Sequence, residues 1–259
     1  MTASPNPAPI ALALSPHLDD AIFSCGGTLA RLSAAGWRVV VATLFTRSVA
    51  SPTGFALACQ LDKGLPASAD YMALRRDEDA AACAILGADT LWLDFAEAPH
   101  RGYASPPTLF GPLLATDDIG AAMQDAIAGL LEDTAPLLVL APQAIGGHVD
   151  HVVVVNALRR LSRSVPLLWW RDFPYAARVA EPAEPFGDAM EMLPERAVTI
   201  DVSQKRTACG AYSTQLGYQF GGPEGLATAL DAAGTTEWFR MEVTPGQDRT
   251  MAAILEPVA

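Results

Sequence analysis

The sequence predicts an α/β fold: a mostly parallel sheet with helices on both faces. Three observations carry that expectation. Short β-branched or apolar runs of strand length alternate with longer helical stretches. Two of those runs, at 10–14 and 137–141, lead into turns rich in His and Asp. An apolar fraction of 51% over 259 residues is enough for a sizeable core in one large domain.

Residues 1–9 are Pro-rich and read as a loose tail, leaving 10–259 as a single domain. The apolar run 10–14 is the first buried strand. Ser15-Pro-His-Leu-Asp-Asp-Ala-Ile-Phe-Ser-Cys-Gly-Gly27 follows it and leads into an amphipathic helical stretch at 28–35. Gly26 and Gly27 fall in the body of that helix. Each costs about 1 kcal/mol there relative to Ala, so a close approach of another element is expected. Gly36 ends the helix. The β-branched run 38–45 is the second strand. Residues 46–70 have no period and read as a long loop, of the kind that is often functional. A helix over 72–86 stops at Gly87, and 90–94 is the third strand. Residues 95–116 form another Pro/Gly-rich loop. A helix over 117–131 takes Asp117 or Asp118 as its N-cap, and the fourth strand, 137–141, is stopped by Pro142. Over 150–163 local propensity and pattern disagree. Val152-Val-Val-Val155 favours strand, but Asn156-Ala-Leu-Arg-Arg-Leu161 continues with helical spacing, and helix is the reading adopted. The fifth strand is 165–171, residues 173–195 are connection, 197–202 is one more strand, and a last helix starts at 201–205. No internal repeat or low-complexity segment is present.

The net charge of −12 argues against nucleic acid and anionic membrane as partners, since both need a basic footprint. No apolar run approaches the roughly 20 residues of a membrane helix, and the N-terminus lacks the pattern of a signal peptide. Cys25, Cys59, Cys83 and Cys209 are scattered without a Cys-x-x-Cys, which suits a reduced cytoplasm. The expected partner is a small molecule, with assembly into a homo-oligomer left open.

The chemistry concentrates at the two strand-end motifs. His17, Asp19 and Asp20 lie at the first, and Gly147-His-Val-Asp-His151 forms the second. Open α/β sheets place their ligands at the carboxyl ends of strands. With His17, Asp20 and His151 as ligands, two imidazoles and a carboxylate leave a coordination position for water, the form of a catalytic zinc site. Bound zinc lowers the pKa of that water to about 7. Asp19 is then a natural general base. A protonated His148 would stabilise an oxyanion or protonate a leaving amine, and Asp150 would hold His148 by a hydrogen bond. These are parts for metal-assisted amide hydrolysis. The competing plain readings are helix N-terminal residues for His17 and Asp20 and an N-cap for Asp150. Three of the four histidines fall in the two motifs, which favours the functional reading; His100, in a Pro-rich loop, is expected at the surface.

Ser15-Pro-His-Leu-Asp-Asp-Ala21 and Gly147-His-Val-Asp-His-Val152 resemble the paired signatures of the PIG-L/LmbE-like de-N-acetylases, with Leu18 where that family usually has a second proline. The resemblance is strongest over 10–46 and 136–160. It implies a Rossmann-like sheet, zinc bound by His17, Asp20 and His151, Asp19 as base and His148 as electrostatic or acid catalyst; iron(II) would also accept this ligand set. The substrate it implies is an N-acetylglucosaminyl conjugate. It further implies a substrate-binding arginine at Arg76, with Arg75 adjacent, and a sugar contact at Asp94. Some members carry a tyrosine where this chain has Gly146. Its contribution is then absent here or supplied elsewhere, by Tyr103 or Tyr175. Two other classes compete: a 2-His-1-carboxylate iron oxygenase, which leaves Asp20 idle and prefers an all-β scaffold, and a non-enzymatic sugar- or nucleotide-binding Rossmann-like module. The latter needs a Gly-x-Gly-x-x-Gly turn that Gly26-Gly27 does not supply.

Overall fold

The structure, a computed structural model, describes residues 7–243. The expected tail and domain end therefore lie largely outside the described residues. Within them, one sheet is built from β1 (Ile10–Ser15), β2 (Arg38–Thr43), β3 (Ala88–Trp92), β4 (Leu138–Pro142), β5 (Leu167–Trp170), β6 (Glu195–Thr199) and β7 (Thr236–Glu242), in spatial order β3-β2-β1-β4-β5-β7-β6. The first five are parallel, and β7 runs antiparallel to both β5 and β6. In chain order the helices are α1 (Asp20–Ala34), α2 (Gly54–Leu61), α3 (Tyr71–Leu86), α4 (Pro106–Leu109), α5 (Ile119–Thr134), α6 (Val149–Arg160), α7 (Tyr175–Arg178), α8 (Gly187–Glu191), α9 (Val202–Cys209), α10 (Ser213–Phe220) and α11 (Pro223–Ala233).

Alternation along β1 divides the core in two. Ala11 and Ala13 face a cluster with Phe23, Leu86, Tyr212 and Leu226, drawn from α1, α3 and the helices between β6 and β7. Leu12 and Leu14 face the opposite cluster, with Met123, Ile127, Val154 and Leu158 of α5 and α6. The expected α/β sheet with helices on both faces is therefore what forms. Chain order reverses between β1 and β4, which lie side by side with Ala11 opposite Leu138. That is the switch point where such sheets open a crevice, and both His/Asp motifs start there.

One segment meets its expectation against local propensity, and others depart from it, among them the short helices α4, α7 and α8 in stretches read as connection. The valine run lies in α6 as expected, although strand propensity opposed it. Val153, Val154, Val155, Ala157 and Leu158 are buried, and that burial outweighs a propensity scale spanning about 1 kcal/mol. The unperiodic stretch 46–70 contains α2, which buries only Ala56 and Gln60 and so carries little apolar pattern. Strand β7 and two of the three helices before it were not expected at all.

Gly27 has the close approach foreseen for it. A Cβ there would lie 2.4 Å from Ile200 Cδ1 and 2.6 Å from its Cβ. Because the obstacle includes the stiff branched carbon, Gly27→Ala is expected to destabilise by about 1–3 kcal/mol. Thermal denaturation should read this as a loss of roughly 2–4 °C per kcal/mol; an unchanged Tm would contradict this packing.

Candidate active site

The turn after β1 places Asp20 at the start of α1, its Oδ2 accepting from the backbone N–H of His17 at 2.8 Å. Ser15 Oγ donates to the His17 carbonyl and accepts from Ala21 N, which fixes the turn. After β4 the chain passes Gly146 (φ 95°) and Gly147 (φ 74°) before entering α6. His148 is the N-cap of α6, its Nδ1 accepting from Asp150 N at 3.2 Å, and His151 lies in the first turn.

Three donor atoms converge between the motifs. Asp20 Oδ2 lies 3.1 Å from His17 Nδ1 and 3.1 Å from His151 Nε2. His151 Nε2 is buried without an aligned hydrogen-bond partner. The nitrogens of His17, His148 and His151 also gather within 4.8 Å of one another. A buried, hydrogen-bond-free imidazole nitrogen facing a carboxylate fits a metal ion. Bonds of about 2.0–2.1 Å in a tetrahedral zinc site put neighbouring donors roughly 3.3 Å apart, close to the separations here. The chemistry of the set, two imidazoles and a carboxylate with His148 beside them, fits as well.

Charge around these rings points the same way. Although burial opposes it, hydrogen bonds to Asp150 and Asp20 raise the His17 pKa well above the usual imidazole value. Burial likewise opposes protonation of His151, but Asp20 and Asp172 raise it to about 9. Burial works against ionised Asp20 too, and the imidazoles of His151 and His17 hold it well below the carboxylate range. Carboxylates that hold protons on two imidazoles favour a cation at the point where the rings meet.

Asp19 stands beside this cluster. Burial pushes its carboxyl up to about 7, against the Arg75 guanidinium 3.4 Å away. Arg75 is itself buried, donating to Glu97 at 2.5 Å and to the Leu18 carbonyl at 3.2 Å. Arg76 instead donates to the Thr46 carbonyl and Ser48 Oγ, and it does not line the cleft. Successive helical residues point about 100° apart, so only one of the two arginines can face the site, and it is Arg75. Asp94 is also elsewhere: its side chain is 80% exposed and pairs with Arg47.

Asp150 has a partner other than the one expected. Its Oδ2 lies 2.9 Å from His17 Nε2 and accepts from Ala98 N, while Oδ1 lies 2.8 Å from Arg101. The nearest His148 nitrogen is 4.0 Å from its carboxylate. The cause is the N-cap geometry, which turns His148 Nδ1 onto the Asp150 backbone instead. Burial pushes the His148 pKa down to about 3, so its imidazole is neutral. With Nδ1 accepting, the proton is on Nε2.

Two neighbours were missed or left open. Asp172 Oδ1 lies 2.7 Å from His151 Nδ1, and its Oδ2 accepts from Ile145 N. It follows the end of β5, next to β4, so the strand-end rule that found the other residues applied to it as well. Tyr175 packs where a side chain at 146 would stand: a Cβ on Gly146 would lie 2.9 Å from Tyr175 Cβ. Its ring lies 5.8 Å from that of His151 and 6.0 Å from Phe110, which in turn meets His148 edge-on at 5.3 Å. Tyr103, the other tyrosine considered, is buried against Asp117 and outside the cleft.

The cleft over these residues measures about 1190 Å³ with its open mouth. Its walls come from both long sequence loops, through Phe55 and Lys63 on one side and Pro99 and Phe110 on the other, with Tyr218 closing the rim. His100, expected at the surface, is exposed on that rim.

Comparison with known proteins places the chain among its relatives. The family profile for PIG-L, GlcNAc-PI de-N-acetylase, matches residues 12–162. A 2'-N-acetylparomamine deacetylase of Streptomyces fradiae is 34% identical over 212 residues, 79% of this chain and 72% of that protein. The crystal structure of the A40926 pseudoaglycone deacetylase superposes with TM-score 0.76 at 30% identity, over 92% of this chain and 98% of that one. A zinc-inhibited form of a teicoplanin deacetylase superposes with TM-score 0.76 at 26% identity, over 92% and 99%. With its profile match, its relatives and both His/Asp motifs in register on one sheet, the chain belongs to the PIG-L family of GlcNAc-PI de-N-acetylases.

Proposed function

We propose that the protein is a metal-dependent hydrolase that removes the N-acetyl group from an amino sugar carried on a larger conjugate, with zinc as its metal and iron(II) as the alternative. One observation carries the reading most: Asp20 Oδ2 lies 3.1 Å from both His17 Nδ1 and His151 Nε2, beside a further buried carboxylate, Asp19. The oxygenase alternative loses its support, because the scaffold is a parallel α/β sheet and Asp20 sits inside the cluster.

His17, Asp20 and His151 would hold the metal. When bound, it supplies Lewis-acid polarisation and an acidified water. Asp150 and Asp172 fix the orientations of the His17 and His151 rings. Asp19, kept pointing inward by Arg75, takes a proton from the attacking water. The new C–O bond forms as the acetyl carbon becomes tetrahedral. The neutral Nε2–H of His148 donates to the developing oxyanion. Asp19 then passes its proton to the sugar nitrogen as the C–N bond breaks, leaving acetate and a free amine. His148 acts in this scheme as a neutral donor, not as the protonated imidazole that the motif alone suggested. The Tyr175 and Phe110 rings, 6.0 Å apart, together form an aromatic wall of the cleft.

The cleft is open at its mouth and walled by residues of both long loops, Phe55 and Lys63 with Pro99 and Phe110, which leaves room for an aglycone beyond the sugar. The relatives named for 2'-N-acetylparomamine and for a glycopeptide pseudoaglycone support the same substrate class. The test is acetate release from free N-acetylglucosamine, from an N-acetylated aminoglycoside and from an N-acetylglucosaminyl glycopeptide. Higher kcat/KM for one of the conjugates is expected. Release from none of the three would overturn the substrate class.

Asp172 provides a separate check on the metal centre. Asp172→Asn keeps the shape but weakens the hold on His151 Nδ1, and metal affinity is expected to fall about 10–100-fold. Competition against a chelator would read this, and an unchanged affinity would remove Asp172 from the site.

A further inference from the structure

Helix α1, which carries Asp20 in its first turn, is not continuous. Cys25 has φ −134° and ψ 20°, outside the helical range. Such a break leaves backbone donors and acceptors without intrahelical partners, and inside a core each orphan is costly. Here a buried ion pair takes over one rung of the ladder. In an unbroken helix Thr28 N donates to the Ser24 carbonyl. In this protein Thr28 N donates to Glu237 Oε2 at 2.8 Å, and the Ser24 carbonyl accepts from Lys205 Nζ at 3.3 Å. The pair closes at 2.8 Å between Lys205 Nζ and Glu237 Oε1. Glu237 also accepts from Gly27 N at 3.0 Å and from Thr28 Oγ1 at 2.5 Å. A carboxylate on β7 thus caps the second half of α1, and an ammonium on α9 caps the first. Both side chains are buried.

The first half of α1 is tied in turn to the second histidine. Ser24 Oγ accepts from Phe173 N at 3.1 Å, and the residue before Phe173 is Asp172, which holds His151. Asp20 and His151 are thus set relative to each other by contacts that converge on Ser24.

We propose that Lys205 and Glu237 are positioning residues of the metal centre: spliced into the break of α1, they set the bend that aims Asp20 at His151. Stability alone is a poor explanation of the pair, because an apolar pair of similar volume commonly stabilises a core as well or better. No apolar pair supplies both an acceptor for Gly27 and Thr28 and a donor for Ser24. The C-terminal third, beyond the segment matched by the family profile, thereby takes part in the site. The inference rests on the proposed assignment of Asp20 as a ligand.

The test uses a double variant, Lys205→Met with Glu237→Gln, which leaves no lone buried charge. Zinc affinity of the metal-stripped protein is measured by chelator competition, with folding checked by circular dichroism. The expected result is a folded protein whose zinc Kd is about 10–100-fold weaker. Met123→Ala, a cavity in the core on the other face of the sheet, is the control: it should lower Tm and keep the parental zinc Kd. If the double variant does not fold, Thr28→Val removes one of the four donors to Glu237, and a several-fold weaker Kd is expected. Parental zinc affinity in a folded double variant, or in Thr28→Val, overturns the positioning role. A parent protein that binds no divalent ion would instead overturn the ligand assignment beneath it.

Discussion

Asp19→Asn is expected to lower kcat by about 10²–10⁴-fold while metal content stays at the parental level. The size follows from what the carboxylate alone can do. It is buried beside the converging donors, yet no imidazole of the cluster is paired with it; its charge partner is Arg75. An asparagine fills the same volume and can still meet Arg75 with its carbonyl oxygen, so the fold and the cluster should survive. What it cannot do is accept a proton from water and return it to the leaving nitrogen. KM should therefore change little compared with kcat. A variant that hydrolyses substrate at the parental rate would remove Asp19 as the base. A variant that loses the metal would show that Asp19, and not only Asp20, serves the ion.

The second large effect belongs to His151. His151→Ala is expected to lose the metal and, with it, all measurable turnover. His151 has both nitrogens committed: Nδ1 to Asp172 at 2.7 Å and Nε2 toward Asp20 at 3.1 Å. Removing the ring takes away one of three proposed ligands and leaves buried Asp172 without its imidazole partner. Thermal stability should fall together with metal content. Metal analysis of the purified variant reads the outcome directly. A variant that keeps a full equivalent of metal would transfer the ligand role to His148, whose nitrogen also lies within the cluster.

The parallel core of the sheet and the two motifs were legible because their signals are local. The runs at 10–14 and 137–141 are short, apolar and flanked by turns, and each delivers its His and Asp residues to a strand end. That β1 and β4 are neighbours follows from the switch in strand order that such sheets make. Other features needed three dimensions. Arg75 and Arg76 are equivalent in sequence; only the rotation of α3 decides which one meets Asp19. The same holds for Asp150, whose partner is His17, 133 positions away, and not the histidine two residues before it. Strand β7 hid for a chemical reason. Its inward positions are Glu237, Phe239 and Met241, so a charged residue stands where alternation calls for an apolar one. The glutamate is tolerated only because Lys205 and the broken α1 meet it there. Asp172 had a usable signal, its place after a strand next to β4, but no motif to announce it.

The central claim is a metal centre of His17, Asp20 and His151 that performs the hydrolysis. The most direct measurement is to strip the enzyme of metal and add zinc, and separately iron(II), in sub-stoichiometric steps. Acetate release from an N-acetylated amino-sugar conjugate is followed at each step. Small steps matter, since a related deacetylase has been described in a zinc-inhibited form. Activity should be absent in the stripped enzyme and rise in proportion to added metal up to one equivalent per chain, with no recovery in His151→Ala. Full activity in verified metal-free enzyme, or equal recovery in His151→Ala, would contradict the account.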